Sequence, residues 1–143
     1  MADRNATTRW TGDLGSGSGT VTLDSSNAGQ FPVSFATRAE DPNGQTSPEE
    51  LIAAAHSSCY SMQLSGLLGQ AGTPPERIDA SAEVTLGQRG EGFAITGIAL
   101  TVRARVPGAD AAAFQQAAEK AKEICPVSAA LTGTTITLDA GLD

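Results

Sequence analysis

The stretch SPEELIAAAHSSCYSMQLSGLLGQAG, residues 47–72, carries the marks of a long helix and organises the rest of the chain around it. Ser47 stands at the N-cap position, Pro48 at the first helical position and Glu50 three residues after Ser47. This is a capping box with proline where its missing N–H costs nothing. No charged side chain occurs from Leu51 to Pro75. Leu51, Ile52, Ala55, Cys59, Met62 and Leu68 fall near helical spacing while small residues occupy the other faces, so the helix is expected to be buried nearly all round. Glycines and the Pro74–Pro75 pair in GQAGTPPE stop it.

Strands flank this helix. TTRWTG (7–12) and SGTVTLDS (18–25) read as a hairpin around the glycine-rich DLGSGSG. The bland reading of that loop is favoured because it lacks both the lysine and the strand-to-helix setting of a phosphate cradle. FPVSFAT (31–37) is a third strand, starting at Pro32 or lying at an edge because proline has no N–H to give, and Arg38 closes it. Beyond the helix, IDASAEVTLGQ (78–88) and FAITGIALTVRARV (93–106) alternate with period two around RGEG, a second and longer hairpin. Its inward set is drawn from Val84, Leu86, Ile95, Ile98, Leu100, Val102 and Val106. PGADAAAFQQAAEKAKEIC (107–125) is a second amphipathic helix, apolar at Ala113, Phe114, Ala117, Ala118 and Ala121. PVSAAL adds a helical turn and TTITLDAGL a last strand. The order βββ-α-ββ-α-β implies an α+β fold with largely antiparallel sheets and two main helices, and the 143 residues fit a single domain, 1–143.

Composition removes several classes of function. With a net charge of −7 and nine scattered basic residues, there is no stripe to neutralise phosphates or anionic lipid, so neither nucleic acid nor membrane is an expected partner. The opening MADRNATTRWTGDLGSG has no apolar core of a secretion signal, and a cytoplasmic location is expected. Two cysteines, Cys59 and Cys125, make neither a zinc framework nor a disulfide-dense scaffold, and no metal or cofactor is expected. In a reducing compartment, a bond between them would be transient and catalytic.

Taken singly, the candidate residues are ambiguous. A free cysteine is first of all a small hydrophobe, and Cys59, deep in its helix, is out of reach of the N-terminal dipole, so a reactive thiol there needs a cation from another element. Cys125 precedes Pro126 and becomes the N-cap of PVSAAL if that turn is helical, a place that favours an anion; a covered helix end is the alternative. Spacing does not decide which thiol attacks first. His56, three residues before Cys59, suggests a Cys-His hydrolase pair, but no third orienting group is identifiable, and a hydrogen-bonded histidine at the helix surface is the stronger reading. Arg38 reads by default as half of a surface ion pair beside Glu40 and Asp41. Glu49 reads as a carboxylate suited to the helix N-terminus.

In combination these segments are specific. FATRAEDPNGQTSPEELIAAAHSSCYSMQLS (35–65), followed about sixty residues on by AKEICPVSAAL (121–131), closely resembles the OsmC/Ohr family, in particular its OsmC branch. The likeness extends to RWTGDL, GFAITGIAL and TITLD, and so to essentially the whole chain. The resemblance implies an OsmC-like fold built as an intertwined homodimer with a buried central helix. It further implies a thiol peroxidase that reduces organic hydroperoxides and, more weakly, hydrogen peroxide, in oxidative or osmotic stress defence. Position by position it makes Cys59 the peroxidatic cysteine, Cys125 the resolving one, Arg38 the thiolate-stabilising cation and Glu49 the carboxylate that orients it; His56 receives no catalytic role. A dithiol reductant, such as a lipoyl protein, would complete the cycle. Glu49 and Cys59 are ten residues apart, about 15 Å along a helix, so the resemblance to a dimer with shared sites meets a physical need. The alternative is a non-catalytic stress or small-ligand-binding dimer on the same scaffold.

Overall fold

A computed structural model describes residues Met1–Asp143. The chain divides into two compact units, Met1–Leu51 and Ile52–Asp143.

In the first unit β1 (Thr7–Thr11), β2 (Ser18–Thr22) and β3 (Gln30–Val33) form an antiparallel sheet in chain order. The expected glycine-rich hairpin loop joins β1 to β2. It closes with the Gly17 N–H donating to the Asp13 carbonyl at 2.9 Å, and a Cβ at Gly17 would collide with that same carbonyl oxygen. Pro32 lies in β3 at the sheet edge, where its missing N–H breaks no ladder. The third strand is shorter than its sequence suggests. Ser34 accepts a hydrogen bond from the Thr37 N–H and caps a short helix, α1 (Phe35–Ala39), so Arg38 sits in a helical turn rather than at a strand end.

The long helix α2 runs from Pro48 to Gln70. The Ser47 hydroxyl accepts the Glu50 N–H at 3.1 Å as a capping box requires, but the Glu50 carboxylate takes the Thr46 hydroxyl instead of reaching back to Ser47.

In the second unit β4 (Arg77–Arg89) and β5 (Gly92–Arg105) form the long hairpin. Its two-residue turn places Gly90 at φ +63° in the first central position, a conformation that costs glycine no steric strain. Beyond β5 come α3 (Ala111–Ile124), capped by the Asp110 carboxylate on the Ala113 N–H, then α4 (Pro126–Ala130) and β6 (Thr135–Leu142). β6 joins the free edge of β5 in parallel register, so this sheet is mixed. Parallel neighbours need a crossover, and α3 with α4 supplies it.

The core follows the period of each element. Ile98, Leu100, Val102 and Ala104 alternate along β5 and are buried, as are Phe114, Ala118 and Ala121 of α3. From α2 the buried stripe is His56, Tyr60, Leu64 and Leu68, at steps of four. Burial nearly all round is therefore not what a single chain shows: Ala55 and Met62 are exposed, Met62 at 73 %. Small residues on every face of α2 leave its orientation unreadable from pattern alone, and the packing surface of β5 and α3 selects the stripe.

Two buried polar links tie α2 to its neighbours. The Tyr60 hydroxyl donates to the Ala118 carbonyl at 3.0 Å. His56, fully buried rather than at the helix surface, has Nε2 2.7 Å from Ser128 Oγ. Burial lowers the His56 pKa below its ordinary 6.5, so below that pH the unfolded chain binds a proton that the folded chain resists. The stability that follows is fully present above 6.5 and is lost as the pH falls below it. His56→Gln is therefore expected to flatten the acid side of the stability curve, as measured by urea midpoints at about pH 7.5 and about pH 5.5. Parallel curves for the two proteins would contradict this.

Candidate active site

Cys59 lies in the middle of α2, one turn beyond His56. Cys125 is the single residue between α3 and α4. Pro126, at the first position of α4, disfavours helical geometry in the residue before it, and Cys125 turns out of the helix at φ −59°, ψ 122°. Its N–H still donates to the Ala121 carbonyl, so it ends one helix and begins the next. The two sulfurs, 66 residues apart in sequence, are 3.1 Å apart in space. Both are free thiols, Cys125 fully buried and Cys59 partly open.

Their surroundings differ. Burial pushes the Cys59 thiol above its ordinary value, and the contact with Cys125 adds to the rise; the Val127 N–H opposes both without prevailing. Burial acts on Cys125 in the same direction, but there it is outweighed by the Ser128 N–H, the neighbouring Cys59 thiol, the Ser128 hydroxyl and the Val127 N–H, and the Cys125 pKa falls. Two thiols this close titrate as a pair.

In the first unit Arg38 and Glu49 form a bidentate pair. The guanidinium Nη2 donates to Oε1 at 2.7 Å and Nε to Oε2 at 3.1 Å, with Glu49 buried and Arg38 about one-third exposed. The default pairing of Arg38 with Glu40 or Asp41 gives way to this contact because α1 turns the side chain toward the start of α2. The carboxylate hydrogen bonds raise the Arg38 pKa further, so its charge is permanent. Beside it runs an apolar groove of about 340 Å³, lined by Trp10, Leu14, Val33, Phe35 and Leu51.

Ser128 escaped the sequence reading. Its recorded partner is His56, 72 residues away in sequence, and no local pattern joins the two. No group of three or more His, Cys, Asp or Glu side chains is placed to hold a metal ion, and no helix is long and apolar enough to cross a membrane.

Known proteins share this arrangement of sequence and fold. The chain is 50% identical over 130 residues to peroxiredoxin OsmC of Escherichia coli strain K12, covering 91% of this chain and 90% of that protein. It is 34% identical over 97 residues to an organic hydroperoxide resistance protein of Xanthomonas axonopodis pv. citri, covering 65% and 66%. The crystal structure of an organic hydroperoxide resistance protein from Elizabethkingia anophelis superposes with a TM-score of 0.79 at 26% identity, over 100% of this chain and 98% of that one. The sequence profile described as OsmC-like protein matches residues 41–139, and with these likenesses the chain belongs to the OsmC-like family.

Proposed function

We propose that this protein is a cysteine-based peroxidase that reduces organic hydroperoxides, and hydrogen peroxide more weakly, in defence against oxidative or osmotic stress. The observation that carries the reading is the pair of free thiols 3.1 Å apart, one partly open and the other buried at a helix N-cap. Membership in a family whose relatives are named peroxiredoxin and organic hydroperoxide resistance protein supports it.

In the proposed cycle the Cys59 thiolate attacks the distal oxygen of the hydroperoxide. The O–O bond breaks, the alkoxide leaves and takes a proton to become the alcohol, and Cys59 becomes a sulfenic acid. Cys125 then condenses with it, releasing water and leaving the Cys59–Cys125 disulfide, which protects Cys59 from irreversible overoxidation. A small dithiol, such as a lipoyl protein, reopens the bridge by exchange.

Burial holds the Cys59 proton in place, so the first step needs a cation at the sulfur. We assign that role to Arg38, held in orientation by Glu49. Glu49 lies at the first turn of α2 and Cys59 ten residues on, about 15 Å along the axis, so the assignment goes with a homodimer in which each Arg38–Glu49 pair serves the thiols of the other protomer. The exposed face of α2 at Ala55 and Met62 would be covered in such a dimer. The groove beside Arg38 would take a hydrocarbon tail, favouring alkyl and aryl hydroperoxides over small polar ones. On this reading the 143 residues work as one OsmC-like domain in the cytoplasm, without nucleic acid or membrane as partner.

Cys59→Ser should abolish consumption of cumene or tert-butyl hydroperoxide in a peroxide assay with excess dithiol, and full activity in that variant would remove the assignment. Cys125→Ser should complete one turnover and then accumulate Cys59 sulfenic acid, seen as a gain of one oxygen by mass spectrometry. An intramolecular disulfide in that variant is impossible, so sustained wild-type turnover would show that Cys125 is not the resolving thiol.

A further inference from the structure

The exchange that reopens a Cys59–Cys125 disulfide has two sulfurs to choose from, and the fold leaves only one within reach. Cys125 has no exposed surface in the single chain, whereas Cys59 is partly open. A second protomer can cover surface but never uncover it, so Cys125 stays closed in any assembly. Cys59 must remain reachable wherever the proposed reaction runs, because the hydroperoxide meets it there. Cys125 is also held in its enclosure. Its N–H donates to the Ala121 carbonyl and its own carbonyl accepts the Ala129 N–H, both at 2.9 Å, so backbone bonds fix it from α3 and from α4. α4 is in turn pinned to α2 by the 2.7 Å contact between Ser128 Oγ and His56 Nε2, two side chains at 4 % and 0 % exposure. Turning the Cys125 sulfur toward solvent would strip buried polar groups of their partners, which is costly. Nor does disulfide formation demand such a movement, since the free thiols stand 3.1 Å apart and need to approach only about 1 Å further to bond.

We infer that the external dithiol attacks the Cys59 sulfur and that Cys125 is the leaving sulfur, so that hydroperoxide and reductant act in turn on one atom through one opening. The inference rests on the peroxidase reading, which supplies the disulfide. The first thiolate of the reductant bonds to the Cys59 sulfur as the Cys59–Cys125 bond breaks, and the electron pair of that bond leaves on Cys125, which takes a proton. The second thiol of the reductant then attacks the reductant's own sulfur in the mixed disulfide. That closes the reductant's disulfide and releases Cys59 as a thiolate. Two electrons have passed from the dithiol to the protein, and both cysteines are again free for the next turnover.

A monothiol stops this exchange halfway and marks the sulfur that was attacked. Wild-type protein is oxidised with diamide in one sample and with equimolar cumene hydroperoxide in another, then treated with excess glutathione. Portions are quenched in acid over time, unfolded, blocked with N-ethylmaleimide and digested for peptide mass spectrometry. Glutathione on Cys59 with N-ethylmaleimide on Cys125 is expected at least about tenfold more often than the reverse, because access decides which sulfur is attacked. Comparable labelling of the two cysteines, or glutathione mainly on Cys125, would overturn the inference. So would reduction that proceeds with no mixed disulfide on Cys59 at any time point. A disulfide that forms with diamide but not with the hydroperoxide would instead overturn the peroxidase reading, and the diamide sample would still report which sulfur an external thiol reaches.

Discussion

On the peroxidase reading, the proposed chemistry requires a negatively charged sulfur in a place that burial makes hostile to charge. Cys59 lies far beyond the first turn of α2, where the helix dipole has faded, and its immediate neighbours raise its pKa instead of lowering it. A guanidinium about 4 Å away, at an effective dielectric constant of about 20, contributes about 4 kcal/mol, or about three pKa units. An exposed helix end supplies at most about 1 kcal/mol. Only a close, permanent cation is large enough, and Arg38, fixed by two hydrogen bonds to Glu49, has that character.

The thiol pair itself is a product of ordinary packing. The stripe of His56, Tyr60, Leu64 and Leu68 seats α2, the Tyr60 hydroxyl fixes its height against the Ala118 carbonyl, and Pro126 breaks the helical path at Cys125. The break converts a helix end into a helix beginning and sets Cys125 between α3 and α4, 3.1 Å from the Cys59 sulfur. One proline thus positions the second thiol beside the first.

Much of this was legible in the chain alone, wherever local chemistry decides structure. Ser47–Pro48 marks the start of α2, Gly90 the turn between β4 and β5, and alternation along β5 the core face. The sequence misled where a cap inside a strand-like run, or a distant partner, decides. Ser34 capping α1 cuts the third strand short and swings Arg38 from Glu40 and Asp41 to Glu49. The parallel seating of β6 depends on where α3 returns the chain, and hydrophobic pattern does not encode that. His56 looked like a surface residue because a lone histidine in a uniform helix gives no sign of the face it occupies, and its partner Ser128 is 72 residues away. The four residues assigned to chemistry were recognisable only as a set, through family resemblance, since each has an unremarkable explanation by itself.

Whether the cation and the thiolate come from different protomers is open to a direct complementation measurement. Arg38→Ala and Cys59→Ser proteins, each inactive alone, would be co-expressed with distinct tags and the mixed dimer purified. If the site is shared across the two-fold, one of its two sites is intact and the mixed dimer regains about half of the wild-type activity. If Arg38 serves the cysteine of its own chain, no intact site exists in any combination, and a mixed dimer as inactive as its parents would contradict the shared site.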